Sequence, residues 1–433
     1  MEYRNHYFSL HRLPAIKGSL AWLLLAAALL FWAPLAWSQD SSTTESATES
    51  VSESATEASD SAIASGSSTD AAFLVSQLSN VPPPTLGAKA WASYDVNSKQ
   101  FIAAFNLNER IEPASITKLM AAYLVFEALE NNRLRLDQEV LVSENAWRTE
   151  GSRMFIDPNT QVSVDDLLQG MIVQSGNDAT VALAEAISGS EDAFVALMNE
   201  EAARQGLTAT HFQNASGLPH ETHLTSVHDI VLMAAHLLER FPQYLHYYSQ
   251  REFTWNDIRQ SNRNRLLWLD PSVDGLKTGH TKSAGYGLVS TALRDGRRVL
   301  SVVVGSSSES ARTEDSLKLL NWSFQNFEDI NLYEANESIV TARVWEGEAD
   351  TVGLGINTPV WVTVPRGMGD DVKPVAHYTQ PLIAPVKAGA EVGTVAFMLG
   401  EHKLAEVELQ TLADVPQAGF FGRMFDKVRR LFH

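Results

Sequence analysis

Ser115 and Lys118 lie three residues apart, followed far along the chain by Ser175-Gly176-Asn177 and then by Lys277-Thr278-Gly279. A serine hydroxyl becomes a useful nucleophile when a neighbouring base takes its proton, and an amine can be that base only when uncharged. Burial or nearby positive charge produces the uncharged form, and Lys277 is a candidate source of the charge. Ser175 could relay a proton between Lys118 and a leaving amine, while Asn177 could hydrogen-bond Lys118 or a substrate amide. Lys277 and the Thr278 hydroxyl could meet a substrate carboxylate, with Gly279 leaving room for another backbone to approach. Each string alone is ordinary: a lone Ser-x-x-Lys is usually a helix cap followed by a surface lysine. In this order they supply what serine-based acyl transfer without a catalytic histidine requires.

The elements that must position these residues follow from periodicity. Pro113 and Ala114 precede Ser115, and the apolar pattern of Ile116, Leu119, Met120, Tyr123 and Leu124 starts directly after it. Ser115 therefore belongs at a helix N-terminus, where unpaired N–H groups and the dipole favour an oxyanion. Lys118 at i+3 falls on the same face. Helices are predicted over 115–131, 164–174, 178–188, 191–205 and 225–240. Ser175 to Asn177 thus occupies a connection between two helices, where side chains can reach a cleft. Ser143-Glu144-Asn145 repeats the Ser-x-Asn pattern but reads as a helix opening capped by Ser143. Strands are predicted over 88–95, 285–291 and 299–305, with Asp295-Gly296 as a hairpin turn. The segment around Lys277-Thr278-Gly279 reads as extended, able to pair with a peptide by edge addition. A helix over 310–327 completes an α/β (α+β) domain ending near residue 332.

Composition narrows the partners. The 433 residues are 45% hydrophobic and carry a formal charge of −19, with no cysteine. A core is expected, whereas nucleic acid is excluded as a partner because phosphate backbones need clustered Lys and Arg. Disulfides, Cys-ligated metals and thiol catalysis are excluded together. Arg4, Arg12 and Lys17 precede an apolar run through Leu30, and Ala36 and Ser38 fit a cleavage site, so residues 1–38 read as a signal peptide. A retained N-terminal anchor is the rival reading; both imply export. Residues 39–75, rich in Ser, Thr, Ala and Glu, read as a disordered linker.

Beyond 333 helical periodicity gives way to short alternating strands, predicting a small β-sandwich-like domain over 333–415 after the catalytic segment 76–332. The final segment, 416–433, separates into two faces on a helical wheel. Phe420, Phe421, Met424, Phe425, Val428, Leu431 and Phe432 share one face, while Arg423, Asp426, Lys427, Arg429, Arg430 and His433 avoid it. Such a helix is too short to span a bilayer and is expected to lie in the membrane surface. Packing on its own domain is the alternative.

With these residues placed, the chain resembles the D-alanyl-D-alanine carboxypeptidases of the low-molecular-mass penicillin-binding protein 5 and 6 type. The likeness runs from about Pro82 to His433. It includes Gln260-Ser261-Asn262-Arg263-Asn264-Arg265, Lys277-Thr278-Gly279-His280-Thr281, Lys318-Leu319-Leu320-Asn321-Trp322 and Gly419-Phe420-Phe421-Gly422-Arg423. It implies a transpeptidase/β-lactamase-like fold, a five-stranded antiparallel sheet flanked by helices, with a β-rich domain that lifts the site off the membrane. It further implies that Ser115, deprotonated by Lys118, attacks the D-Ala-D-Ala amide of peptidoglycan stem pentapeptides, with backbone N–H groups of Ser115 and His280 holding the oxyanion. Arg312 matches the family's arginine associated with the terminal carboxylate, and Arg263 matches another active-site arginine. β-Lactams would acylate Ser115, and no metal or cofactor is required.

Three rivals differ in what they need. A β-lactamase would need a deacylating glutamate after the Ser-x-Asn string, yet residues 208–218 hold no carboxylate. A D,D-endopeptidase would be expected to lack the β-domain and anchor. A non-catalytic wall-binding module would show decay of at least one catalytic position, and none has decayed.

Overall fold

The structure, a computed structural model, describes residues 73–431. The expected signal peptide, the linker up to residue 72, and Phe432 and His433 lie outside the described residues. Where the expected linker overlaps them it is structured: Val75–Leu78 is a turn of 3-10 helix, and Val75 is wholly buried. Phe73 packs on the same core, so apolar side chains at 73–75 extend the folded part below residue 76.

The catalytic part is built on strands β1 (Ala90–Asp95), β2 (Gln100–Phe105), β3 (Val273–Thr281), β4 (Gly285–Arg294) and β5 (Arg297–Ser306). They form one antiparallel sheet in the order β2-β1-β5-β4-β3. The strand bearing Lys277-Thr278-Gly279 is therefore an edge, as edge addition requires. Side chains alternate across a strand, and β1 shows the consequence. Ala90, Ala92 and Tyr94 enter one core, while Trp91 enters the other. Ser93, also on the second face, has its Oγ 2.6 Å from that of Ser323. Both faces are covered, which is why β1 is buried throughout.

The first core is filled by α1 (Lys118–Glu130), α2 (Asn177–Ser188), α3 (Glu191–Arg204) and α4 (Val227–Arg240); α5 (Glu309–Asn326) covers the other face. Ser143 caps a short helix, Glu144–Arg148, by accepting from the Ala146 N–H at 2.9 Å. Asp295 and Gly296 both have positive φ, 51° and 83°, the geometry of a tight hairpin turn between β4 and β5.

The β-rich part opens at β6 (Phe327–Tyr333), several residues before 333. Its further strands are β7 (Ser338–Trp345), β8 (Thr351–Gly355), β9 (Val360–Pro365), β10 (Val372–Tyr378), β11 (Leu382–Ile383), β12 (Glu391–Leu399) and β13 (His402–Thr411). β6 pairs with β9, and the other six form a sheet in the order β10-β12-β13-β8-β7-β11 around a shared apolar core. The helical pattern overran the start of β6 because Phe327 is apolar and buried in either assignment. The last described helix is α6 (Phe420–Arg430).

Candidate active site

Ser115 sits in a 3-10 turn, Ala114–Thr117, that leads into α1. The helix predicted from 115 thus begins with a tighter turn, in which positions i and i+3 eclipse. That places Lys118 Nζ 3.2 Å from Ser115 Oγ. Lys118 is 1% exposed and donates to Asn177 Oδ1 at 2.7 Å and to the Ser216 carbonyl at 2.6 Å. Burial pushes its pKa down to about 7, helped by the positive charge of Arg263 and opposed by Asp178 and Glu191. Arg263 is therefore an assisting cation that no motif pointed to. Lys277 is itself buried, and burial followed by the charges of Lys118, Arg263 and Arg312 drives its own pKa well down.

Ser175 follows a π-helical turn, Gly170–Gln174, that ends the predicted 164–174 helix. Its left-handed backbone, φ 66° and ψ 33°, turns the chain into α2. Asp178 anchors that corner by accepting from the N–H groups of Met154 (3.0 Å) and Phe155 (2.9 Å). Ser175 Oγ accepts from Lys277 Nζ at 2.9 Å, not from Lys118. Asn177 bridges Lys118 and the Glu150 carbonyl, to which its amide donates at 2.6 Å. Of its two foreseen partners, Lys118 is the one the fold provides.

Gly279 is where β3 meets the serine turn. A Cβ there would lie 3.0 Å from the Pro113 oxygen and 3.1 Å from Ile116 Cγ1. Thr278, Gly279 and His280 line a cleft of about 720 Å³ together with Ser115, Ser175, Asn177, Arg263 and Arg312. Lys277 is buried, and its amine is held by Ser175, which itself lines the cleft. His280 is exposed and stacks on Tyr286, ring centroids 4.0 Å apart. Arg263 Nη2 donates to Ser152 Oγ at 2.6 Å, and Arg312 Nη2 donates to the Arg263 carbonyl at 3.2 Å. Arg312 is 4% exposed, and its Nε is buried without a hydrogen-bond partner. A buried unpaired guanidinium N–H is costly, and an anionic ligand in the cleft would satisfy it.

Several contributors carry no motif. Asn214 Oδ1 accepts from the N–H groups of Gly217 (2.7 Å) and Leu218 (2.9 Å), fixing the loop whose Ser216 carbonyl meets Lys118. A Cβ on Gly217 would fall 1.8 Å from the Ala114 oxygen, so this loop presses directly on the serine turn. His223 Nε2 lies 2.9 Å from Thr117 Oγ1, and the Gln213 N–H donates to its Nδ1 at 3.3 Å. Burial, then His211, His220 and Lys118, push this imidazole down to about 4, so the neutral ring donates to Thr117. The Asn-x-x-Gly spacing of Asn214 and Gly217 is the one signal that turn chemistry offered for the loop.

Residues 77–308 match the family described as D-alanyl-D-alanine carboxypeptidase, and residues 327–417 match the C-terminal domain of penicillin-binding protein 5. The chain is 40% identical over 361 residues to D-alanyl-D-alanine carboxypeptidase DacC of Escherichia coli K12, covering 82% of this chain and 90% of the relative. Among solved structures, penicillin-binding protein 5 from Haemophilus influenzae superposes with a TM-score of 0.74 at 40% identity, over 78% of this chain and all of that one. Penicillin-binding protein D2 from Listeria monocytogenes, solved with ampicillin bound, is 32% identical with a TM-score of 0.52, over 56% of this chain and all of that one. The chain belongs to the D-alanyl-D-alanine carboxypeptidase family, in the penicillin-binding protein 5 and 6 arrangement.

Proposed function

We propose that this chain is a serine-type carboxypeptidase that removes the terminal D-alanine from peptidoglycan stem pentapeptides. The observation that carries the reading is a buried amine, pushed down to about 7, within 3.2 Å of an accessible serine hydroxyl. Neutral Lys118 takes the Ser115 proton as Oγ attacks the carbonyl carbon between the two D-alanines. The developing oxyanion is held by backbone N–H groups of Ser115 and His280, at the junction of the serine turn and β3. The C–N bond then breaks, and the leaving amine takes the proton that Lys118 accepted, relayed by Ser175, whose hydroxyl is held by Lys277, so that Lys118 returns to its neutral form. Water hydrolyses the acyl-enzyme and frees Ser115. The unpaired Nε–H of Arg312 and the guanidinium of Arg263 suit the terminal carboxylate.

β-Lactams mimic the scissile amide and acylate the same oxygen; the ampicillin-bound relative supports this. Glu309 is the one carboxylate among the described residues lining the cleft, and it lies 3.3 Å from Arg265 Nε and 3.7 Å from Arg312 Nη2. That leaves a lactamase without its deacylating base. Purified protein incubated with a D-Ala-D-Ala-terminated peptide should release free D-alanine, and Ser115→Ala should abolish both release and fluorescent-penicillin labelling. An endopeptidase or a wall-binding module would release none.

The enzyme works at the periplasmic face of the cytoplasmic membrane, held by α6. Phe420, Phe421, Met424, Phe425, Val428 and Leu431 are all exposed, and Phe421 reaches 80%. The polar side of α6 faces the β-rich part instead: Asp426 Oδ2 accepts from the Glu346 N–H at 2.8 Å. A terminal helix packed for stability would bury its apolar face. No helix among the described residues is long and apolar enough to cross a membrane.

A further inference from the structure

Between α6 and the β-rich part lies a pocket of about 410 Å³, separate from the catalytic cleft and lined by Arg343, Trp345, Tyr378, Gln380, Leu382 and Arg430. We propose that it seats the phosphate of an anionic phospholipid headgroup, an inference that rests on α6 lying in the membrane surface.

Charge supports an anion. The chain has a net charge of −19, yet two guanidinium groups and no carboxylate line this pocket. Arg343 projects from β7 with its guanidinium 3.9 Å from the Trp345 ring centroid, and it forms no ion pair among the described residues. That stacking leaves the edge of the guanidinium, where its N–H donors lie, available to an oxyanion. Arg430 Nη1 is buried with no hydrogen-bond partner. Its nearest carboxylate, Glu346, is 3.8 Å away, beyond hydrogen-bond reach. A phosphate oxygen would supply the missing acceptor, and the Tyr378 hydroxyl and Gln380 amide add neutral donors on the rim.

Position supports a lipid as its source. Arg430 belongs to the helix that exposes its aromatic face. An interfacial helix sinks that face roughly 5–10 Å into the headgroup/acyl boundary, and a helix with side chains is about 10 Å across. The opposite, pocket-lining face then lies at the level of the phosphates.

The full chain, with α6 intact, should bind vesicles of phosphatidylcholine mixed with phosphatidylglycerol more tightly than vesicles of phosphatidylcholine alone. Losing one surface cation near an anionic membrane weakens binding roughly five-fold, so Arg429→Gln, exposed on α6 and outside the pocket, sets the nonspecific scale. Arg343→Gln should cost more than ten-fold on the anionic vesicles, by roughly twice that increment on a logarithmic scale. It should leave neutral vesicles and D-alanine release unchanged, the latter confirming an intact fold. Equal losses from the two variants would reduce the pocket to diffuse surface charge and overturn the proposal. Displacement of anionic vesicles by millimolar inorganic phosphate or glycerol phosphate, at constant ionic strength, would identify a free phosphate site and equally overturn it. Wild-type protein that bound neither vesicle would remove the membrane reading of α6 itself, a failure distinct from both.

Discussion

In the catalytic cleft Lys118 and Lys277 are 1% and 2% exposed, whereas on α6 Phe421 and Phe425 are 80% and 68% exposed. Lysine is almost never fully buried unless paired, and large aromatics are seldom this open. The two regions break the same burial rule in opposite directions, and each departure prepares a different contact. In the cleft, desolvation keeps an amine neutral, with a lone pair free to take a proton. On α6, exposed apolar area is unsatisfied until another apolar phase covers it. Neither region lowers the free energy of the isolated fold by its anomaly. The fold sustains the first through hydrogen bonds to Asn177, Ser216 and Ser115, and the second by docking the helix through its polar side.

The comparison breaks most sharply at Lys118. Lys118→Met keeps the volume and removes the base, and should lower β-lactam acylation by about 10²–10⁴-fold, measured by stopped-flow labelling. Near-wild-type acylation would show that the buried amine is structural. Next in size is Gly279→Val, whose branched side chain would press on the Pro113 oxygen and Ile116. A small displacement of the serine turn should cost on the order of 10² in D-alanine release with the circular dichroism spectrum unchanged. Wild-type release would show that the β3 contact does not position Ser115.

On the apolar side of the comparison, Phe421→Ser and Phe425→Ser should each weaken vesicle partitioning by at least about ten-fold, since burying one such ring is worth roughly 1.5–3 kcal/mol. D-alanine release from a soluble peptide should not change. If either variant lost activity instead, α6 would be supporting the catalytic fold. The mildest effect is on pH. Lys118 acts when neutral, so lowering pH below about 7 protonates it and slows acylation, about ten-fold per unit once the cation dominates. Above about 7 the rate should level off. A rise continuing toward pH 10 would mean that the amine keeps its ordinary pKa and is not desolvated in solution.

How much was legible in the sequence varies with the range of the interaction. The i+3 spacing of Ser115 and Lys118, the Asp295-Gly296 turn, the Ser143 cap and the two faces of α6 are local, and each survives into the structure. The extended Lys277-Thr278-Gly279 strand was also legible, but not the direction of its lysine. Alternation puts Lys277 on a buried face, where Ser175 is its nearest side-chain partner, while Thr278 meets the cleft. The Arg263 contribution was hidden for the same reason: a charge 145 residues away from Lys118 in the chain acts only through the folded geometry. Ser216 was invisible because its contribution is a backbone carbonyl, which every residue type carries.

Sequence by itself determined which groups are present and which neighbours they meet within one or two turns: a hydroxyl beside an amine, a capable edge strand, a helix with one aromatic and one basic face. These follow from backbone geometry, whose periods of 3.6 and 2 are fixed before folding. Only the tertiary structure decided that the amine loses its water, that Arg263 supplies the neighbouring charge, and that α6 turns its polar side inward. Desolvation and field at a site are sums over everything packed around it, and no single segment of the chain contains that sum.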